Sequence, residues 1–285
     1  MIMGISKPLV MEIAYHTFAI NEFGMASCFM LVGSKRGLLI DTGCGMYPMR
    51  EIADELCPLP YDVVLTHGHG DHVAGMDQWE AVYLHPADWE SVSLGRLDQN
   101  IAMLQHYPEM MAQFGSFDAY DIKPEQIRYP RTLPKILSLE EGTVFDLGGR
   151  KVEVIHTPGH TAGEVVLIDD ASRILFSGDA CNPNLGIRAA SVNTALKGLL
   201  KIKAQETRFD RNYNGHIGYG GATSHVSMPE HNLDTDIMIF REILAGIAAV
   251  EIMEGPMGRI GIVVKNGMRV SFDPDRLIDP EEDPV

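Results

Sequence analysis

No apolar run in this chain approaches the roughly 20 residues that a membrane-spanning helix needs. Basic residues are also in short supply: 23 lysines and arginines stand against 39 aspartates and glutamates, a formal net charge of −16. Such a balance repels phosphate backbones and anionic membranes, which argues against nucleic acid and lipid as partners. The opening segment, Met1-Ile2-Met3-Gly4-Ile5-Ser6-Lys7-Pro8, lacks the charged region, long apolar stretch and small-residue cleavage site of a secretory signal. There is no Cys-x-x-Cys pair. The four cysteines, Cys28, Cys44, Cys57 and Cys181, are widely spaced, as free thiols in a reducing compartment would be. These absences predict a soluble, cytoplasmic protein whose partner is a small molecule.

What is present is a large apolar fraction, 45% of 285 residues, enough to bury a sizeable core. Met11–Ile20, Ala26–Val32 and Gly37–Ile40 are short apolar or alternating runs split by turn residues, which predicts a β-meander. Arg50–Leu56 and Val73–Trp79 read as helices, with Val63–Leu65 and Ala81–Leu84 as strands. His85-Pro86 opens a further helix, with proline in its first turn. Over residues 91–134 the pattern turns helical and methionine-bearing, an insertion between two sheet-forming halves. Such a surface is more often core or subunit contact than a lid, which leaves a homodimer open.

Strand signals return at Thr143–Leu147 and Lys151–Ile155, joined by Gly148-Gly149, then at Val165–Ile168 and Ile174–Phe176. Ser191–Lys203 reads as a helix. Ser227-Met228-Pro229-Glu230 has the form of a capping box and predicts a helix with Ile237, Phe240, Leu244 and Ile247 facing the core. Asn266-Gly267 joins a last hairpin, and the acidic residues 279–285 predict a disordered tail. Two sheet-rich halves, each followed by helices, imply an α+β fold with packed sheets and helices outside.

Chemistry concentrates in Thr66-His67-Gly68-His69-Gly70-Asp71-His72, directly after the apolar run Val63-Val64-Leu65. Were this stretch extended, His67, His69 and Asp71 would share one side and His72 would point elsewhere, while the glycines let the backbone bend around an ion. One ion would struggle to gather all four side chains, whereas two adjacent ions use them naturally. Three more ligand-type residues follow apolar runs: His160 in Thr157-Pro158-Gly159-His160-Thr161-Ala162-Gly163, Asp179 in Ser177-Gly178-Asp179, and His216 in Asn214-Gly215-His216. Asp41 ends Leu38-Leu39-Ile40 in the same manner. Singly, each is an ordinary turn residue. The weight lies in the ordered set.

In that order the motifs resemble the metallo-β-lactamase superfamily, in its dinuclear hydrolase branch, over about Asp41 to His216; the ligand set is that of glyoxalase II and the lactonases. The resemblance implies an αββα sandwich of two packed mixed β-sheets with helices on the outer faces, as one domain over 1–285. It further implies His67, His69 and His160 at a first metal, Asp71, His72 and His216 at a second, and Asp179 bridging the two. Asp41 matches an acid that supports a ligand histidine from behind. Two divalent ions are expected, zinc foremost, with manganese or iron also suited to imidazole and carboxylate ligands. Two dications depress the pKa of a water between them, so a bridging hydroxide attacks the substrate and no serine or cysteine nucleophile is required. Asp71 would orient that nucleophile or relay its proton. The expected reaction is hydrolysis of a small ester, thioester, lactone or amide.

Departures from particular branches narrow the choice. Asp179 stands where the β-lactamases with a cysteine ligand carry that cysteine, and Cys181 lies two positions later. The tyrosine that lactonases commonly place after the bridging acid is missing from Ala180-Cys181-Asn182-Pro183-Asn184. Glyoxalase II's basic, tyrosine-bearing segment is not seen after His216. Competing readings are a mononuclear iron enzyme like the persulfide dioxygenases and a phosphodiesterase of the same superfamily. His85, Arg188, Tyr213, Tyr219 and His225 are read as structural.

Overall fold

The computed structural model describes residues 6–93, 132–187, 189–217, 226–255, 258–281 and 283. Most of the insertion expected at 91–134 lies outside the described residues. The first sheet follows sequence order: β1 (Leu9–Ala14), β2 (Thr17–Glu22), β3 (Ala26–Val32), β4 (Gly37–Ile40), β5 (Tyr61–Val64), β6 (Ala81–Leu84) and β7 (Lys135–Ser138). A second sheet has the order β13 (Arg211–Asn214), β11 (Ile174–Gly178), β10 (Val165–Asp169), β9 (Lys151–His156), β8 (Val144–Asp146). A third has the order β12 (Asn184–Ile187), β16 (Met268–Phe272), β15 (Gly258–Lys265), β14 (Glu251–Gly255).

Side-chain alternation explains how the first two sheets stack. In β3, Phe29 and Leu31 turn to one face while Cys28 and Met30 turn to the other. In β10, Val165 and Leu167 face one way, Val166 and Ile168 the other. Both strands are therefore near-continuous apolar runs, as expected of strands buried on two faces. The shared inner layer joins Phe29, Leu38, Ile40 and Val64 of the first sheet to Val154, Leu167 and Phe176 of the second. Phe29 and Phe176 meet with ring centroids 4.9 Å apart. On the outer face of the first sheet, Met49, Ile52 and Ala53 of α1 (Met49–Leu56) cover Met30 and Leu39. Over the second sheet lie α3 (Val192–Lys203) and α4 (Asn232–Leu244), together with the third sheet. The layers are those of an αββα sandwich.

Several local expectations are corrected. Met11–Ile20 is two strands, because the chain turns at Tyr15-His16 with His16 at φ 50°. Val73–Trp79 is not one helix: α2 (Gly70–Val73) starts earlier and a 3-10 turn follows at Met76–Gln78. The Ser227 box does not start a helix; α4 begins at Asn232 after His231, and Ile247, beyond its end, is 73% exposed. Asn266 and Gly267, at φ 50° and 81°, make the hairpin turn as predicted. In the tail, the Asp279 carboxylate pairs with Arg276 and the Asp283 carbonyl accepts from Asn193, while 282, 284 and 285 lie outside the described residues. No helix among the described residues is long and apolar enough to cross a membrane.

Topology sets up the site. Strands β4, β5, β6 and β7 run parallel, as do β11 and β13. In such sheets functional loops gather beyond the carboxyl ends of the strands. Asp41 follows β4, the histidine motif follows β5, Asp179 follows β11 and His216 follows β13.

Candidate metal centre

The histidine motif is not extended throughout. His69 holds extended backbone and precedes α2, so Asp71 and His72 sit on a helical turn. This corrects the grouping by alternation: Asp71 leaves the side of His67 and His69. Ligand atoms of His67, His69 and His160 lie within 4.8 Å of one another, and so do those of Asp71, His72 and His216. A third such group, His67, His72 and Asp179, overlaps both. Asp179 Oδ2 is 3.5 Å from His160 Nε2 and 3.1 Å from His216 Nε2, which places its carboxylate between the two triads. Asp71 Oδ2 is 3.8 Å from His72 Nε2 and 3.6 Å from His216 Nε2.

Four of the five rings are turned inward by a bond on the far side. The His160 Nδ1–H donates to the Gly186 carbonyl at 2.8 Å, and the His216 Nδ1–H to the Met25 carbonyl at 2.8 Å. His72 Nδ1–H donates to Asp41 Oδ2 at 2.9 Å. Asp41 Oδ2 also accepts from the Thr66 hydroxyl at 2.8 Å, so the hydroxyl oxygen is left to accept from His67 Nδ1–H at 3.1 Å. Asp41 thus orients His72 directly and His67 at one remove. It does so from φ 61°, a left-handed conformation that non-glycine residues rarely adopt and that aspartate tolerates better than most.

These bonds favour the tautomers that turn the Nε2 lone pair toward the inner side. His67 Nε2, His72 Nε2 and Asp179 Oδ1 are buried and have no hydrogen-bond partner. His69 Nδ1 and His160 Nε2, two nitrogens that both suit a cation, face each other at 2.9 Å. Buried polar atoms are otherwise almost always paired. A convergent set of unpaired nitrogens around a carboxylate is the arrangement that divalent cations satisfy, so the residues fit bound divalent metal.

Charge is distributed unevenly across the site. Burial, and then the neighbouring histidines, hold His67 well below the usual imidazole range and bring His69 down to about 4. For His72 burial acts in the same sense, yet Asp71, Asp41 and Asp179 together outweigh it and push the ring up to about 10. His216 also rises, burial being overcome by Asp179 and Asp71. Asp179 is held well below the carboxylate range: burial opposes this, but His216, His72 and His160 prevail.

Two buried carboxylates that the sequence did not single out support this centre. Glu22, in what had the composition of a turn, accepts from the backbone N–H groups of Cys44, Met46 and Tyr47 and so holds the loop after Asp41. Burial, against those three bonds, raises it to about 7. Glu164 Oε1 accepts from the Asp179 N–H at 2.9 Å, and Oε2 lies 3.5 Å from His67 Nδ1. An acid inside the apolar stretch Gly163-Glu164-Val165-Val166 was the available signal. Of the residues read as structural, His85 stacks on His156 at 3.9 Å and Tyr213 is buried in the sandwich core. Arg188, Tyr219 and His225 lie outside the described residues. Cys181 is buried and free, its sulfur against Asn232 and Asp236.

The model of the metallo-beta-lactamase superfamily matches residues 21–217, more than half of the chain, and the chain belongs to that superfamily. A protein named acyl-coenzyme A thioesterase MBLAC2, from Homo sapiens, is 30% identical over 166 residues, 54% of this chain and 57% of that protein. The hydroxyacylglutathione hydrolase GloC of Haemophilus influenzae is 27% identical over 147 residues, 51% of this chain and 61% of that protein. The alignments therefore span little more than half the length of these relatives. A solved metallo-beta-lactamase from Pontibacter korlensis shares the fold, with a TM-score of 0.55 at 18% identity, over 82% of this chain and 99% of that one.

Proposed function

We propose that the protein is a cytoplasmic dinuclear metal-dependent hydrolase of a small acyl thioester. The observation that carries the reading is the pair of triads flanking one carboxylate, with unpaired ring nitrogens turned inward. His67, His69 and His160 would hold one ion, and Asp71, His72 and His216 the other, with Asp179 between them. When bound, two divalent ions, zinc foremost, supply Lewis acidity and an acidified water for attack on the acyl carbon. Thioesters are favoured among acyl substrates because one relative is named an acyl-coenzyme A thioesterase and another an acylglutathione hydrolase.

The chain's own residues then set the geometry. Asp41, Gly186 and Met25 keep the imidazoles in the tautomer that presents a lone pair to the site. Asp71 directs Oδ2 at the second triad, which leaves Oδ1 to orient the attacking water and take its proton. Hydrolysis breaks the C–S bond and releases a carboxylic acid and a thiol. Four buried free cysteines suit a reducing compartment.

The test is elemental analysis of gently purified protein, followed by release of free thiol from short-chain acyl-coenzyme A. Two ions per chain, with thiol release that stops on chelation and returns with zinc, is the expected result. One iron per chain, with oxygen uptake on a persulfide, would overturn it in favour of dioxygenase chemistry.

A further inference from the structure

Resting on the two-ion reading, we infer that Asp88 is a positioning residue of the first triad: its carboxylate clamps the loop of His67 and His69 to the loop of His160. Asp88 follows β6 in the 3-10 turn Pro86–Val92 and is 4% exposed. Oδ2 accepts from the Gly68 N–H at 2.9 Å and from the Thr161 hydroxyl at 2.7 Å. Oδ1 accepts from the Gly163 N–H at 2.7 Å. Gly68 lies between His67 and His69, and Thr161 and Gly163 directly follow the His160 position.

The two loops belong to different sheets, and His69 and His160 are 91 residues apart in sequence. Chain connectivity therefore does little to set their spacing. Backbone N–H groups in a closed site need an acceptor, and one carboxylate that meets three donors from two loops both satisfies them and fixes the distance between them. Bonds to an ionised acceptor are the stronger kind. The contact has no slack: a Cβ at Gly163 would stand 2.7 Å from Asp88 Cγ, and one at Gly68 would stand 1.8 Å from Ser91 Oγ, itself bonded to the Asp88 carbonyl. A functional constellation tolerates only about 0.5 Å of displacement. Asp88 makes no hydrogen bond to Asp71, His72 or His216, and the rings of His72 and His216 are held by Asp41 and Met25 instead. Its influence is thus directed at one of the two sites.

The experiment measures zinc affinity by competition with a chromogenic chelator in two full-length parents. His216→Ala keeps the first triad whole, and His160→Ala keeps the second. Adding Asp88→Ala should weaken zinc binding in the first parent by about 10- to 100-fold, the usual effect of losing an outer partner, and leave the second parent unchanged. Asp88→Asn, with one acceptor oxygen in the same shape, should fall between. Thr161→Val removes one of the three bonds at constant shape and should produce a smaller, still first-site-only loss; it decides the matter if Asp88→Ala does not fold. Equal losses in both parents, or none in the first, overturn the clamp. Fewer than two zinc ions in the unaltered chain overturn the two-ion reading and the clamp together, so the two failures are told apart by that measurement.

Discussion

His67, His69 and His160 form an all-imidazole triad whose first two rings burial keeps neutral, whereas in the set of Asp71, His72 and His216 the carboxylates outweigh burial and favour the protonated rings, Asp71 with Asp41 and Asp179 at His72 and Asp179 with Asp71 at His216. The two sets sit side by side around Asp179, each drawing residues from loops of both sheets, yet their supports differ. The second relies on Asp41 behind His72 and the Met25 carbonyl behind His216; the first adds the Asp88 carboxylate, which ties its two loops together. A set of imidazoles brings no negative charge to a cation, while Asp71 would offset part of it. The lesson is that symmetry in ligand count does not make the triads equivalent: the first offers imidazole donors alone, while the second adds a carboxylate that would offset part of a bound cation's charge and could take a proton from water beside it.

The largest effect is expected where the triads meet. Asp179→Ala removes the group flanking both and should cut zinc uptake at both sites by more than about 100-fold, beyond the range for outer partners. His216→Ala should weaken the second site and spare the first. Elemental analysis with chelator competition reads both, and a loss from Asp179→Ala confined to one site would break the comparison by assigning the carboxylate to one triad.

Next is Asp41→Ala, which takes away the acceptor for His72 Nδ1–H and for the Thr66 N–H and hydroxyl. Second-site zinc affinity should drop by about 10- to 100-fold. First-site affinity should drop less, since His67 feels Asp41 only through Thr66. Each buried donor left unpaired costs about 1–3 kcal/mol, so thermal unfolding should occur at clearly lower temperature. Asp41→Asn keeps acceptor capacity and tolerates φ 61°, and should retain more of both. A uniform loss at the two sites would show that Asp41 does not distinguish them.

The ligands were legible because metal chemistry needs particular residue types, and most of them stand shortly after an apolar strand. Their partition was less so. Alternation put Asp71 with His67 and His69, because a four-residue helix such as α2 is too short to leave a periodic trace. The supports were not legible. Glu22, Asp88 and Glu164 bond to backbone N–H groups of loops that sequence alone does not bring near, and Glu22 sits in Asn21-Glu22-Phe23-Gly24, whose composition is that of a turn. Strands buried on both faces, such as β3 and β10, announce themselves as apolar runs. Strands β12 and β13, Asn184–Ile187 and Arg211–Asn214, do not, since the first is short and broken by glycine, the second is mostly polar, and their pairings are parallel and remote.

A pH titration sharpens the comparison further. With His72 raised to about 10, its ring carries a proton at neutral pH that a metal must displace, and raised His216 acts in the same direction. A group with a raised pKa favours the protonated state below that pKa, so second-site affinity falls as pH falls, by about tenfold per unit for each proton displaced. His69, lowered to about 4, and His67, lower still than its usual range, are already neutral at such pH and add no such slope. Between about pH 6 and 8, the His160→Ala parent should therefore show the steeper dependence and the His216→Ala parent the shallower. The reverse order would contradict the charge asymmetry.

The smallest effect on the sites should come from Ser191→Ala, and its value lies in that smallness. Ser191 caps α3, accepting from the Thr194 N–H at 3.0 Å, and α3 packs behind the His160 loop, with Ala195 against Gly159. Losing the cap should cost about 1 kcal/mol of overall stability, visible as a modest fall in unfolding temperature. If the triads owe their difference to specific ties such as Asp41 and Asp88, this general weakening should leave the ratio of the two zinc affinities unchanged. A selective loss at the first site from Ser191→Ala would mean that the His160 loop is set by the helix behind it rather than by bonds across the site.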